Sequence, residues 1–313
     1  MNLESLPIAL NHIQAFLAQD TTQLSRIFHG RGQFYPGLEH LTVDWMDGQL
    51  LVSLFREVDE EFLSTLIAGL KSIAQSDDWQ KHQGLCIILQ YRHAEWGDDV
   101  QVVVGEPNWQ PIVDENGLSF ALQLGKNQNT GLFLDMANGR QWVREQANNA
   151  RVLNLFSYTC GFSVAAIAGG AEHVVNVDMS RSSLAKGKEN HRLNEHDTSK
   201  VSFFAHDILK SWGKIRKNGP YDLIIIDPPS FQKGSFALSK DYQKVVRRLP
   251  ELLTDGAQVL ACVNSPQATS QFLIDLMSEH APELKYIERL DNPKAFVDKD
   301  VQASLKALVF RKG

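Results

Sequence analysis

From Arg140 onward, short apolar runs alternate with segments of helical period, and this alternation restricts the possible folds more than any other feature. The runs are residues 152–156, 173–177, 201–205, 223–226, 258–263, 285–289 and 305–310. Helical patterns over 162–168, 182–193, 208–215, 242–253 and 267–280 fill most of the gaps. Strands joined by helix-length segments form right-handed crossovers, and hence a parallel sheet. No helical pattern separates the last two runs, so an antiparallel hairpin is expected at the sheet edge. The expected class is α/β.

The first part of the chain reads differently. Residues 41–45 and 50–55 predict two strands joined around Asp47-Gly48, a hairpin turn signal. Residues 60–74 carry Phe62, Leu63, Leu66, Ile67, Leu70 and Ile73 at the spacing of one helix face. Further strands are expected at 85–91, 100–104 and 112–124, the last divided by Glu115-Asn116-Gly117. The predicted division is a helix plus small α+β domain over 1–110, a β-hairpin linker over 111–135, and the α/β domain over 136–313.

The opening residues, 1–19, show an amphipathic pattern without the basic start and unbroken apolar run of a signal peptide. No stretch is long and apolar enough to span a bilayer. Cys86, Cys160 and Cys262 are far apart and form no CxxC pair, which argues against a zinc site or disulfide framework. Free thiols suit a reducing cytoplasm, and no metal is expected. Charge is uneven: residues 1–127 carry 7 Lys/Arg against 17 Asp/Glu, and residues 128–313 carry 24 against 20. A polyanionic partner should therefore meet mainly residues 128–313.

In an open α/β sheet, ligands bind beyond the carboxyl ends of the strands. The first such end is Asn154-Leu155-Phe156-Ser157-Tyr158-Thr159-Cys160-Gly161, followed by a helix. It holds one glycine, so the GxGxxG fingerprint of dinucleotide enzymes is absent, which argues against a dehydrogenase. The second end is Asp178-Met179. Asp178 suits either a ribose acceptor or a helix cap. The third, His206-Asp207, offers a carboxylate for an adenine amino group or for a cap. The fourth is the most specific: an apolar strand meets Asp227-Pro228-Pro229-Ser230-Phe231. Two prolines fix the backbone and remove two N–H donors, leaving a rigid ledge of carbonyls beside an aromatic ring. The fifth end brings Asn264 and Ser265, which suit either the same mouth or an ordinary polar strand end.

With 127–135 (Asn-Gln-Asn-Thr-Gly-Leu-Phe-Leu-Asp), Arg140, 154–161, 177–180, 190–194 and 227–231, the sequence resembles the large-subunit ribosomal RNA methyltransferases, types I and K/L. The resemblance covers roughly residues 20–313. It implies a Rossmann-like class I methyltransferase sheet, S-adenosyl-L-methionine as cofactor, and RNA as substrate. It places Phe133 and Asp135 beside the cofactor and Arg140 near its carboxylate. Asn154, Phe156, Ser157, Tyr158 and Gly161 fall on the methionine loop. Asp178 and Met179 would lie at the ribose, His206 and Asp207 at the adenine. Asp227, Pro228, Pro229, Phe231 and Asn264 would face the target base, with Asp227 also near the cofactor. Members usually carry Arg where this chain has Ala137.

The cytosine-C5 members place a cysteine nucleophile after the fifth strand, where this chain has Asn264. The segment is nearer the Ser-Asn-Asn of the guanine-N7 type. A ring nitrogen with a lone pair needs no general base before attack, and Phe231 is the candidate stacking partner for an unstacked base. Lys210, Lys214, Arg216, Lys217, Lys240, Lys244, Arg247 and Arg248 could meet phosphates or form a solvated helix face. Two other readings stay open: a methyltransferase acting on a small molecule or protein, and a non-catalytic RNA-binding or assembly protein of the same fold.

Overall fold

The computed structural model describes residues 1–19, 23–93, 99–126, 129–229, 231–232 and 236–313. The chain divides into two units: Met1–Leu134 with Pro293–Val301, and Asp135–Asn292 with Gln302–Gly313.

In the first unit, helix α1 (Leu6–Leu17) precedes strands β1 (Ser25–His29), β2 (Leu41–Met46) and β3 (Gln49–Leu54). Helices α2 (Glu60–Ala74) and α3 (Asp77–Lys81) then lead to β4 (Cys86–Tyr91) and β5 (Asp99–Gly105). The five strands lie in the order β1-β2-β3-β4-β5. Only β3 and β4 run parallel, because the helical crossover returns the chain in the same direction. Asp47 and Gly48 both take positive φ, which lets the β2–β3 hairpin close in two residues. Asp59 caps α2 through the amide of Phe62, and Phe62, Leu66, Leu70 and Ile73 then fall on its buried face. They pack with α1 and the sheet around Trp45. A separate hairpin, β6 (Ile112–Glu115) and β7 (Leu118–Ala121), turns at Asn116-Gly117.

The second unit opens with α4 (Ala137–Gln146), β8 (Arg151–Leu155), α5 (Gly161–Ala168), β9 (His173–Asp178), α6 (Arg181–Leu193), β10 (Val201–Ala205), α7 (Trp212–Lys217) and β11 (Tyr221–Ile226). A short β12–β13 pair (Phe231–Gln232, Phe236–Ala237) leads into α8 (Leu238–Val246). Then come β14 (Leu253–Val263), α9 (Ser270–His280), β15 (Leu284–Leu290) and β16 (Lys306–Lys312). The sheet order is β10-β9-β8-β11-β14-β16-β15. The first five strands are mutually parallel, and β16 and β15 complete the sheet as antiparallel members. Both sheet faces are covered by helices, which is why Leu223–Ile226 of β11 reads as a continuous apolar run.

The mostly parallel α/β sheet with an antiparallel edge is as expected from the sequence. Two helices differ. The pattern at 208–215 divides into a 3-10 turn, Ile208–Lys210, capped by Asp207, and then α7, because Ser211 between them leaves the helical region at a φ of −118°. The pattern at 242–253 is shifted: α8 begins at Leu238 and ends at Val246, and residues 247–252 run as turns into β14. Apolar spacing in those turns continues the helical period without helical backbone.

Candidate functional site

Sheet register decides where the functional candidates emerge. Leu155 pairs with Val177 and Ile226, Asp178 with Ala205, and Ile226 with Ala261. The carboxyl ends of the parallel strands are therefore level, and the segments that follow them leave from one edge of the sheet. A hollow of about 220 Å³ lined by Gln146, Asn148 and Asp222 lies at the opposite edge, beside the amino ends of β8 and β11.

The loop after β8 is built under strain. Phe156, Tyr158 and Cys160 take φ of 59°, 46° and 64°, a left-handed region that side chains disfavour. Such strain persists only where surrounding contacts hold it. Here Asp178 grips the loop: one carboxylate oxygen accepts the Tyr158 amide at 2.8 Å, and the other accepts the Ser180 amide at 2.7 Å. Asn190, from α6, donates to the Thr159 carbonyl at 3.0 Å. Gly187 fits against Cys160, where a Cβ would overlap the thiol sulfur. The loop then enters the amino terminus of α5 at Gly161, where the first-turn amides lack acceptors within the helix. Ser157 Oγ is buried beside Cys160 without a well-formed hydrogen bond. Strained backbone, a helix amino terminus and an under-used hydroxyl fit a polar ligand with a charged end.

Asn154, one residue before the end of β8, is buried. Its amide donates inward to Asn176 at 2.9 Å, Asn176 donates to Ser163, and Ser163 meets His191, which in turn meets His196 at 3.0 Å. Burial pushes the His191 imidazole down to about 3, so it is neutral. Asp178 is engaged by backbone amides, and the cap of α6 is Ser180. Met179 is exposed beside it. Asp207 caps the 3-10 turn through Leu209 and pairs with Lys210 at 3.0 Å. His206 meets the Lys214 ammonium at 3.0 Å. Each of these carboxylates still has lone pairs for a second donor.

Around the end of β11, four candidates share one field. Asp227 keeps some solvent contact but is closely surrounded by protein. That desolvation, then the neighbouring Asp135 charge, pushes its carboxyl up to about 7, while Arg140 works in the opposite direction. Arg140 is itself buried in α4. Asn264 lies after β14, with its amide 3.5 Å from Asp135. Pro228 is buried and Pro229 exposed, so the ledge presents its second ring outward. Ser230 of that motif, and Asn127 and Gln128 of the earlier one, lie outside the described residues; for Phe231 only the backbone, in β12, is described. Phe133 is half-exposed and belongs to the first unit.

Two residues at this site gave no sequence signal. Tyr242, fully buried on α8, donates from its hydroxyl to the Cys262 carbonyl at 3.1 Å and lies 3.5 Å from that of Ile226, so it ties the ends of β11 and β14 together. Lys306, also fully buried, donates to the carbonyls of Ser265 and Gln302 at 2.7 and 2.9 Å, fixing the turn after Asn264. A buried tyrosine in an apolar helix pattern and a lone lysine in a strand look like ordinary core and surface residues. Cys262 is buried within β14, and desolvation with nearby Asp227 and Asp135 pushes its thiol well above the ordinary range. Cys160 is buried and likewise raised. Among the described residues, no His/Cys/Asp/Glu group could hold a metal ion, and no helix is long and apolar enough to cross a membrane. Of the basic run, Lys210, Arg216, Lys244 and Arg248 are paired with carboxylates.

The family pattern described as S-adenosylmethionine-dependent methyltransferase matches residues 25–311. YwbD of Bacillus subtilis (strain 168), whose name assigns it provisionally to the ribosomal RNA large subunit methyltransferases, is 34% identical over 80% of this chain and 63% of its own length. Ribosomal RNA large subunit methyltransferase I of Aeromonas salmonicida (strain A449) is 36% identical over 51% of this chain and 41% of its own. The enzyme of the same name from Escherichia coli O157:H7 is 30% identical over 85% and 67%. The chain thus spans about two thirds or less of the length of these relatives. Among solved structures, SMU.776 complexed with SAH superimposes with a TM-score of 0.83 at 25% identity, covering 99% of this chain and 80% of its own.

Proposed function

Because the chain belongs to the S-adenosylmethionine-dependent methyltransferase family, we propose that it methylates a base of large-subunit ribosomal RNA, in the cytoplasm, without a cysteine nucleophile. S-adenosyl-L-methionine is the cofactor, and when bound it supplies an electrophilic methyl group on a sulfonium. The protein's own part is to orient and to tune charge. The strained loop at Phe156, Ser157, Tyr158 and Gly161 would hold the methionine portion, with Arg140 and Asp135 nearby. Asp178 and Met179 would meet the ribose, and His206 and Asp207 the adenine.

One observation carries the choice of chemistry. Asp135, Arg140, Asp227 and Asn264 gather at the end of β11, while Cys262 is buried in the adjacent strand with its thiol held protonated. A protonated, buried thiol is a poor nucleophile toward a pyrimidine ring. A purine ring nitrogen such as guanine N7 attacks with its own lone pair and suits this site. Asp227, titrating near neutrality, can present an O–H to a base carbonyl or an oxygen anion to a base amino group. The RNA backbone would run mainly along residues 128–313, which carry a net positive charge. The relatives named for large-subunit ribosomal RNA support that substrate class.

The test is mass-spectrometric mapping of large-subunit ribosomal RNA from cells with and without the gene. Loss of one methylated nucleotide, restored by the intact chain and not by Asp227→Ala, is expected. An unchanged methylation map would overturn the substrate class. A missing 5-methylpyrimidine, abolished by Cys262→Ala, would overturn the chemistry.

A further inference from the structure

The first unit is acidic overall, yet its arginines are gathered. The turn after β1 reads His29-Gly30-Arg31-Gly32-Gln33 and is tightly built. Both glycines are buried: a Cβ at Gly30 would overlap the carbonyl oxygens of Leu38 and Leu41, and one at Gly32 would overlap that of Val297. Gln33 takes a φ of 63°, a strained value for a side-chain-bearing residue. Between these constrained neighbours, Arg31 is exposed. Its guanidinium carbon stands 4.3 Å from the centre of the Phe55 ring. Arg92, after β4, lies 4.9 Å from the same centre.

Arg26 is occupied: it pairs with Asp44, donates to His29 at 2.8 Å, and stacks on Phe296 at 4.7 Å. Burial and the two nearby arginines push His29 down to about 4, so it adds no charge at neutral pH. Lys299 joins the same edge by donating its amide to the Gly32 carbonyl at 2.8 Å, on a segment that also carries Asp298 and Asp300. Phe34, half-exposed, is two residues from Gly32. Arg56 follows Phe55 and is exposed.

The negative face of the Phe55 ring attracts both guanidiniums and gathers them at one place. The two buried glycines fix the backbone on either side of Arg31, whose side chain is left at the surface. We propose that Arg31, Phe55 and Arg92 form an RNA-contacting surface of the first unit, in which the two guanidiniums take phosphate groups of a substrate strand. A guanidinium has five N–H donors in a planar fork, so it can bind a phosphate while keeping contacts within the chain, as both arginines do. The ring holds both forks in place and lowers the entropy lost on binding. This inference rests on the RNA reading above, and it adds a first-unit contact to those of residues 128–313.

The test uses the full chain and a labelled single-stranded RNA about 20 nucleotides long, with binding followed by fluorescence anisotropy over a range of salt. The doubly substituted chain, Arg31→Gln with Arg92→Gln, should bind about 10-fold more weakly near 0.1 M salt. The slope of log affinity against log salt should fall by about 1.4, at ~0.7 per phosphate on single strands. Arg31→Gln alone, a change at an exposed side chain, should give about half of that slope change, which guards against misfolding of the double variant. S-adenosylmethionine affinity, measured by calorimetry, should be unchanged in both. Wild-type affinity and slope in the folded variants would overturn this surface and leave the proposed function standing. No salt-dependent RNA binding by the wild-type chain would overturn both. Equal competition by a poly-glutamate peptide would overturn RNA as the occupant.

Discussion

At the residue scale, two desolvated titratable groups pull stability in opposite directions with pH. Asp227 has its carboxyl raised from 3.8 to about 7 by desolvation and by Asp135. Between those values the folded chain holds a proton that the unfolded chain has lost, so wild-type stability falls as pH rises from about 4 through 7. Asp227→Asn removes that slope. Its melting temperature should match wild type near pH 4 and exceed it at pH 8, by about 2–4 °C for each kcal/mol gained. Equal melting temperatures at pH 8 would refute the raised carboxyl. His191 works the other way: burial and His196 lower it from 6.5 to about 3. Its stabilisation is full above 6.5 and is lost as pH falls below that, because only the unfolded imidazole takes up the proton. His191→Gln should be less stable than wild type at pH 7.5, through its lost bond to Ser163, and the gap in urea midpoint should narrow at pH 5. A constant gap would count against the neutral imidazole. Cys262→Ala, which removes a buried protonated thiol, should retain methyl transfer to RNA, followed as incorporation of label from methyl-tritiated S-adenosylmethionine; a loss of more than about 10²-fold with normal folding would restore covalent chemistry.

At the element scale, the critical contact is between α6 and the loop it supports. Gly187 lets the helix approach Cys160 closely enough for Asn190 to reach Thr159. Gly187→Ala should push the helix back, destabilise by about 1–3 kcal/mol, and weaken cofactor affinity more than it weakens RNA binding. Equal affinities by calorimetry would show that the loop tolerates the shift. Much of this level was legible in the sequence. The parallel strands were readable because both sheet faces are buried, which leaves apolar runs such as Leu223–Ile226 with no competing period. α8 was misplaced because Tyr242, Val245, Val246, Leu249 and Leu252 keep a helical period through turns that are not helical. β1 was missed because only Phe28 of its five residues is buried. The strand-end candidates around Asp227 were readable because position follows from topology. The grip of Asp178 on Tyr158, the tie made by Tyr242 and the anchor made by Lys306 were not, since each joins residues 20 or more apart in sequence.

At the scale of the whole molecule, net charge was a useful but coarse guide. It assigns a polyanion to residues 128–313, and photo-crosslinking to ribosomal RNA should place most adducts there. Adducts confined to residues 1–110 would contradict that assignment. The average over residues 1–127 conceals that Arg31 and Arg92 meet at one ring, Phe55, while carboxylates such as Glu60 and Glu61 in α2 and Asp77 and Asp78 in α3 lie on other elements.

The segment Pro293–Val301 belongs with the first unit although β15 before it and β16 after it belong to the second. A ribosome delivering this chain would release residue 134 some 10–30 s before residue 301, at roughly 5–20 residues per second. Through that interval the nascent first unit lacks Phe296 against Arg26 and His29, and β14 and β15 wait without the strand that lies between them. Vectorial synthesis therefore cannot finish one unit before starting the other. Chaperones that shield open sheet edges would have their substrate here.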